Sequence, residues 1–172
     1  MKRIVSILIA MAIAVTLTAA VSARQDVLDL SGKGITDEKL AEMIKNGEIP
    51  DTVTKLDLSN NEITDLSSLS ELKNLEWLNL ADNKITDLTP LSGLKFLGFL
   101  DLRNNNISDL TPLFGLKNLW GVELDGNNLT RKQIDELYNT LGLNPNTSVV
   151  LSAAPMLLAS GVMFLSRKKR AA

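Results

Sequence analysis

The octapeptide LDLSNNEI at residues 56–63 decides the fold, because near-copies of it recur at a fixed interval. The copies are LNLADNKI at 78–85, LDLRNNNI at 100–107 and VELDGNNL at 122–129, so successive copies start 22 residues apart. A degenerate copy, LDLSGKGI, stands at 28–35. A fixed period of about 20–50 residues is typical of a protein built from stacked structural units. We therefore expect residues 24–143 to form one repeat domain.

The apolar residues within one period predict how each unit is built. Leu56 and Leu58 alternate with polar residues, so both face the same side of a short strand. The chain then returns around the coil on five further apolar positions: Ile63, Leu66, Leu69, Leu72 and Leu75. One unit of this size cannot bury these seven positions alone, so neighbouring coils have to stack and share a core.

The copies match the consensus Leu-x-Leu-x-x-Asn-x-Leu/Ile, and the chain resembles the leucine-rich-repeat family. The 22-residue period and the segment ITDLTPL at 85–91 are similar to the internalin-type repeats of Gram-positive surface proteins. The resemblance implies an α/β solenoid with a parallel concave sheet of about five strands. A repeat stack also needs polar ends that stop further stacking.

Both ends of the repeat array carry helix signals. The first helix is expected from Asp37 to Asn46, with Thr36 as its N-cap and Gly47 after its end. The second is expected over residues 131–141, with Thr130 and Gln133 at capping-box spacing. We interpret both helices as caps of the solenoid.

One asparagine recurs at the same turn of every full repeat. Inward-facing amides can satisfy backbone groups that a tight turn leaves unpaired. We interpret this column as structural in preference to a ligand-binding ladder. Its members are Asn61, Asn83, Asn105 and Asn127.

The strand positions between the core leucines should face outward on the concave side, and they are our candidate ligand-binding residues. Trp77 and Phe99 occupy equivalent positions on neighbouring strands and lie outside the seven core positions. Exposed aromatics flanked by charges suit a protein-binding site, although two rings that only stack and shield the sheet are the alternative. The candidate set is Lys55, Asp57, Trp77, Asn79, Phe99, Asp101, Arg103 and Glu123.

Composition argues against several classes of function. The chain has no Cys and no His, so common zinc sites and Ser-His or Cys-His catalysis are excluded. Residues 24–148 hold all 20 acidic residues but 12 of the 18 basic ones, and this net charge of −8 would repel nucleic acid. The strand positions Asp29, Asp57, Asn79, Asp101 and Glu123 form a mostly acidic column, but it lacks the spacing of a calcium-binding loop. Asp57 and Asp101 as a glycosidase pair lack a pocket that would shift a carboxyl pKa. We expect no enzyme activity, no metal and no cofactor.

The two ends of the chain read as targeting segments. Residues 1–23 combine Lys2 and Arg3, an apolar run and small residues at 21–23, as in a secretory signal peptide that is cleaved after Ala23. An uncleaved membrane anchor is the alternative. Residues 149–166 are long enough for a short transmembrane helix, and 167–172 form a basic tail that should stay cytoplasmic. These segments place the acidic centre outside the cell.

The segment Asn144-Pro145-Asn146-Thr147-Ser148 precedes the second apolar run. In this order, the pentapeptide, the apolar run and the basic tail resemble a Gram-positive cell-wall sorting signal of the Asn-Pro-x-Thr class. Ser148 stands where that class usually has Gly or Asn. The resemblance implies that a sortase cuts after Thr147 and joins it to the wall. A plain membrane anchor with a polar linker is the alternative.

These observations predict a protein-binding module on the outer face of the cell envelope of a Gram-positive bacterium. The lack of Cys-rich caps favours a bacterial source over a eukaryotic one. The expected partner is another protein, with a sortase as a processing enzyme and the membrane as a contact of residues 149–166. The alternatives are a structural envelope protein without a specific ligand and an accessory subunit of a membrane complex.

Overall fold

A computed structural model describes residues 27–143 of the protein. Within this range the chain forms five short strands, which are β1 (Leu28–Asp29), β2 (Lys55–Asp57), β3 (Trp77–Asn79), β4 (Phe99–Asp101) and β5 (Gly121–Glu123). Helix α1 spans Asp37–Lys45 and helix α2 spans Arg131–Leu141. Three short 3-10 helices connect β2 to β5, at Ser67–Glu71, Thr89–Gly93 and Thr111–Leu113.

The strands form one parallel sheet in sequence order, from β1 to β5. The 22-residue period sets the register, because Leu56, Leu78, Leu100 and Val122 pair in turn. Every crossover is one complete coil, which gives parallel neighbours the long connection that they need. The predicted leucine-rich-repeat solenoid with its parallel sheet of five strands is confirmed.

The core follows the seven predicted positions of each coil. In the coil that begins with β2, all seven side chains from Leu56 to Leu75 are at most 1% exposed. The return path places leucines at every third residue, from Leu66 to Leu75. A 3-10 helix has about three residues per turn, so this spacing keeps the leucines on one inward face. Pro90 and Pro112 lie in the first turn of their 3-10 helices, where a backbone N–H is not needed.

An aspartate begins each return path and accepts the backbone N–H two residues later. The N–O distances are 2.8 Å for Asp65 to Ser67, 2.8 Å for Asp87 to Thr89 and 2.9 Å for Asp109 to Thr111. For Asp87 and Asp109, the side chain and then the backbone N–H of the threonine hold the carboxyl pKa below its ordinary value. These bonds fix where the chain turns from the strand side to the convex side.

After each of strands β2 to β5, one residue at a repeated position adopts the left-handed backbone conformation. Asn60 and Asp82 both have φ of 56°, Asn104 has 53° and Gly126 has 73°. Asn and Asp tolerate this region better than other side chains, and Gly adopts it without strain. The choice of residue at this position therefore follows from the turn geometry.

The two predicted caps are present at the ends of the sheet. In α1 the Thr36 side chain accepts the N–H of Lys39, and Leu40 and Met43 are buried on the first coil. This helix ends at Lys45, one residue earlier than expected, because Asn46 already adopts the C-cap position. In α2 a capping box joins Thr130 and Gln133, and Leu137 is fully buried.

Candidate functional site

The register of the strands assembles the predicted residues into two columns on the concave side. Residues Lys55, Trp77, Phe99 and Gly121 pair across four strands, one step before the buried leucines. The second column, one step after the leucines, consists of Asp57, Asn79, Asp101 and Glu123. Adjacent parallel strands lie about 4.8 Å apart, so neighbours within each column are within side-chain contact distance.

Three aromatic side chains form a continuous row on this face. The ring centroids of Trp77 and Phe99 are 5.9 Å apart with an interplanar angle of 11°. Phe99 and Trp120 are 5.4 Å apart with their planes tilted by 37°. Both distances are in the favourable range for aromatic pairs. We call Trp77, Phe99 and Trp120 the aromatic row.

The expectation that Phe99 is exposed is wrong. Only 9% of its surface is accessible, because it is packed between Trp77 and Trp120. Trp77 is half-buried, whereas Trp120 is 52% exposed. The surface that the row offers to solvent is therefore mainly tryptophan, and Phe99 supports the two indole rings.

Sequence reasoning missed Trp120, because it lies one residue before the strand position that the repeat assigns to the concave face. Two glycines make its placement possible. A Cβ atom on Gly98 would lie 2.6 Å from Trp120 Nε1, and a Cβ atom on Gly121 would lie 2.9 Å from Phe99 Cδ2. The order Gly98-Phe99 in one coil and Trp120-Gly121 in the next is the signal that could have revealed this exchange.

In the second column, Asp101 is buried rather than exposed, with 4% of its surface accessible. Its carboxylate accepts two bonds from Arg103 Nε, at 3.0 and 3.1 Å, and one from Nη2 at 2.6 Å. It also accepts the backbone N–H of Arg103 at 3.0 Å. Hydrogen bonding to Asp101, which outweighs burial, raises the pKa of Arg103. This bidentate pair covers the carboxylate and forms a fixed, half-buried polar centre.

The rest of the second column is half-buried. The Asp57 carboxylate accepts the backbone N–H and the hydroxyl of Ser59, at 2.9 and 2.7 Å, and a bond from Asn79 Nδ2 at 3.1 Å. Burial raises the pKa of Glu123, and the charge of nearby Asp101 raises it further. The positive charge of Arg103 acts in the opposite direction and lowers the pKa of Glu123.

The asparagine column lies on the inner side of the same turns. Asn83 is 7% exposed, accepts the N–H of Ile63 at 3.0 Å and donates to the carbonyls of Leu58, Leu80 and Ala81. Asn61 and Asn105 repeat this pattern, and Asn127 is half-buried with fewer bonds. These amides hold successive coils together.

Several predicted features concern other parts of the chain. The signal peptide (1–23), the sorting pentapeptide Asn144–Ser148, the transmembrane helix (149–166) and the basic tail (167–172) lie outside the described residues. Within residues 27–143, no helix is long and apolar enough to cross a bilayer. The same range contains no group of three His, Cys, Asp or Glu side chains that could hold a metal ion.

A family model described as leucine-rich repeats in two copies matches residues 51–95 and again residues 73–118. No curated protein sequence matches the chain significantly. Leucine-rich-repeat solenoids generally use their concave surface to bind other proteins.

Solved structures of two internalins from Listeria monocytogenes are similar to this chain. Internalin C2 is 36% identical with a TM-score of 0.56, and the match covers 72% of this chain and 52% of that protein. The inlF internalin is 33% identical with a TM-score of 0.54, covering 62% of this chain and 29% of that protein.

A leucine-rich-repeat protein from Leptospira interrogans is 35% identical with a TM-score of 0.51, and the match covers 58% of this chain and 27% of that protein. The chain therefore spans about half or less of the length of these three relatives. By its repeats, its parallel sheet and these similarities, the chain is a leucine-rich-repeat protein of the internalin-like type.

Proposed function

We propose that this protein binds another protein through its concave face while displayed on the outside of a Gram-positive cell envelope. The observation that carries the proposal is the aromatic row, in which Trp120 stays 52% exposed beside a ring that is almost fully buried. Tryptophan is enriched among residues that dominate binding energy at protein interfaces.

The surroundings of the row fit this role. Phe99 lies between the two indole rings and contacts both, so neither ring has to be ordered when a partner arrives. Pre-ordered side chains lower the entropic cost of association. The Asp101–Arg103 pair and Glu123 lie on the neighbouring column and supply a polar rim. Such a surface, with rigid aromatics beside fixed charges, supports recognition more than catalysis.

Photo-crosslinking on intact cells tests the proposal. A benzoylphenylalanine at position 120 should form a discrete adduct with one protein partner. The same residue at position 139, on the exposed side of α2, is the matched control and should not form that adduct. Identical products from both positions, or none from position 120, would contradict binding at the concave face and favour a structural envelope role.

The proposed anchoring rests on the order of segments after residue 143. The pentapeptide Asn144–Ser148 is followed by an apolar run and then by four cations at 167–170. We propose that a sortase cleaves between Thr147 and Ser148 and links Thr147 to the wall. A membrane helix at 149–166 would then act only before cleavage.

Thr147→Ala separates wall linkage from a permanent membrane anchor. The change removes the residue that forms the acyl intermediate but leaves the apolar run intact. We expect the unchanged protein in the wall fraction, resistant to detergent, and the variant in the membrane fraction. Recovery of the unchanged protein by detergent, with residues 167–170 still attached, would show a single-pass anchor instead.

A further inference from the structure

Phe96 is the most exposed large hydrophobic residue in the described range, with 62% of its surface accessible. It precedes a buried leucine on the return path, at a position that recurs every 22 residues. The neighbouring coils have Asn74 and Asn118 at this position. Phe96 is therefore an exception to the repeat as well as to the usual burial of phenylalanine.

The two asparagines show which hydrogen bond is lost when phenylalanine occupies this position. Asn74 Nδ2 donates to the carbonyl of Asp51 at 2.9 Å, and Asn118 Nδ2 donates to the carbonyl of Lys95 at 2.7 Å. Each bond ties a coil to the one before it. At the same position Phe96 has no donor for the corresponding carbonyl, that of Lys73. A residue that breaks a local stabilising pattern without a gain in packing points to a role outside folding.

Phe96 lies at the same edge of the sheet as Trp120. Both residues come just before a strand, Phe96 before β4 and Trp120 before β5. The Trp120 ring lies against Gly98, which is two residues after Phe96. The two most exposed aromatic side chains thus belong to adjacent coils, and both lie on the side of the sheet where the strands begin.

Around Phe96 and Trp120 this edge carries positive charge, although residues 24–148 carry a net charge of −8 and Glu71 and Glu76 flank Lys73 in the preceding coil. Lys73, Lys95 and Lys117 recur at one position, directly before Asn74, Phe96 and Asn118, and all three are exposed. Residues 88–100 and 110–122 contain no Asp or Glu and one Lys each. A Cβ on Gly93 would lie 3.0 Å from Lys73 Nζ, so this ammonium lies against the coil that carries Phe96.

We infer that Phe96, Trp120 and the three lysines form a docking edge for an acidic protein segment that carries an apolar side chain. The inference rests on the proposed function and specifies the partner's chemistry. The apolar side chain contacts Phe96 and Trp120, and the carboxylates face the lysines. Complementary charges of this kind orient a partner and speed its association.

The first test asks whether Phe96 serves the fold. In the purified full chain in detergent, Phe96→Asn should restore the coil-to-coil hydrogen bond and raise the midpoint of thermal unfolding by a few degrees. The matched change Asn118→Phe should lower the midpoint by a similar amount. A lower midpoint for Phe96→Asn would show that Phe96 stabilises the fold, and the inference would be wrong.

The second test measures binding with two defined peptides. The chain has two tryptophans, Trp77 and Trp120, so its tryptophan fluorescence reports on the aromatic row. The acetylated, amidated peptide Glu-Asp-Leu-Leu-Asp-Glu should change this fluorescence at low ionic strength. The basic counterpart Lys-Arg-Leu-Leu-Arg-Lys should bind more weakly. Phe96→Asn and Lys117→Gln should each weaken binding of the acidic peptide by about threefold or more.

Lys45→Gln, which removes a lysine on α1, is the control and should bind the acidic peptide unchanged. No response to the acidic peptide, an equal response to both peptides, or unchanged binding by Phe96→Asn would each overturn the docking edge. The proposed function is tested separately, because an adduct at position 120 with a partner that lacks acidic segments would retain concave-face binding while rejecting this inference.

Discussion

At the scale of single residues, two glycines determine how the aromatic row is built. Gly98 leaves room for Trp120, and Gly121 leaves room for Phe99. The two cases differ because Trp120 is half exposed and can move outward, whereas Phe99 is enclosed by both tryptophans. A methyl group added at Gly121, against Phe99, should therefore destabilise the fold more than one added at Gly98, against Trp120.

Gly121→Ala should lower the free energy of unfolding by about 1–2 kcal/mol, because Phe99 has to leave its packed position. Chemical denaturation of the full chain measures this difference. Gly93→Ala is the matched control, since its new methyl meets only the flexible end of Lys73, and it should change stability by less than about 0.5 kcal/mol. Equal effects of the two substitutions would mean that Phe99 is not confined.

The asparagine column gives a second prediction at this scale. Asn83→Ala leaves the N–H of Ile63 and three carbonyls without their amide partner, so we expect a loss of about 2–3 kcal/mol in unfolding free energy. Asn106→Ala, at an exposed site, is the control and should lower the free energy of unfolding by less than about 0.5 kcal/mol. A small loss for Asn83→Ala would argue against the column as the link between coils.

At the scale of elements, α1 is tied to the next coil by one carboxylate. Asp37 Oδ1 accepts the backbone N–H groups of Thr64 and Asp65, at 2.8 and 3.0 Å, and Oδ2 accepts the Thr64 hydroxyl at 2.5 Å. Burial alone would raise the pKa of Asp37, but these hydrogen bonds outweigh it and lower the pKa. The cap is therefore held to the solenoid most strongly when Asp37 is ionised.

The sign of this shift predicts a pH dependence. A carboxyl whose pKa is lowered by folding adds stability above its unfolded pKa and loses it as pH falls through its folded pKa. Asp37→Asn should therefore lower the unfolding midpoint at pH 7, by an amount equivalent to about 1 kcal/mol. The difference in unfolding midpoint between Asp37→Asn and the unchanged chain should disappear below about pH 4.

Asp51→Asn, at an exposed site, provides the control and should follow the unchanged chain at pH 7. A gap for Asp37→Asn that stays constant or widens with acid would contradict the assignment. Thermal unfolding followed by circular dichroism at a series of pH values is sufficient for this comparison.

The elements were largely predictable from the sequence, whereas parts of the site were not. The period of 22 determines strands β2 to β5, their register and the core of their coils, because these coils repeat one pattern. Trp120 was not predicted because the aromatic residue and the glycine stand in the opposite order at the start of β5 from their order at the start of β4, which places the ring one position earlier. The burial of Asp101 was not predicted either, because it depends on a hydrogen bond from the Arg103 side chain, which the repeat pattern does not encode.

At the scale of the whole molecule, the concave side has a polarised surface. The acidic column lies along one side of the aromatic row, and the edge with Lys73, Lys95 and Lys117 lies at the other. This order of charges gives a partner one preferred orientation. A solenoid of five strands offers a small surface, so a few tryptophan contacts have to supply most of the binding energy.

The central claim is that the aromatic row binds a partner, and the most direct measurement is the affinity of the crosslinked partner for two variants of the full chain. Trp77→Ala and Trp120→Ala should each weaken binding by about 2 kcal/mol or more, roughly 30-fold. The unfolding midpoint of Trp120→Ala should stay close to that of the unchanged chain, because this side chain is half exposed. Undiminished affinity in both variants would contradict the account.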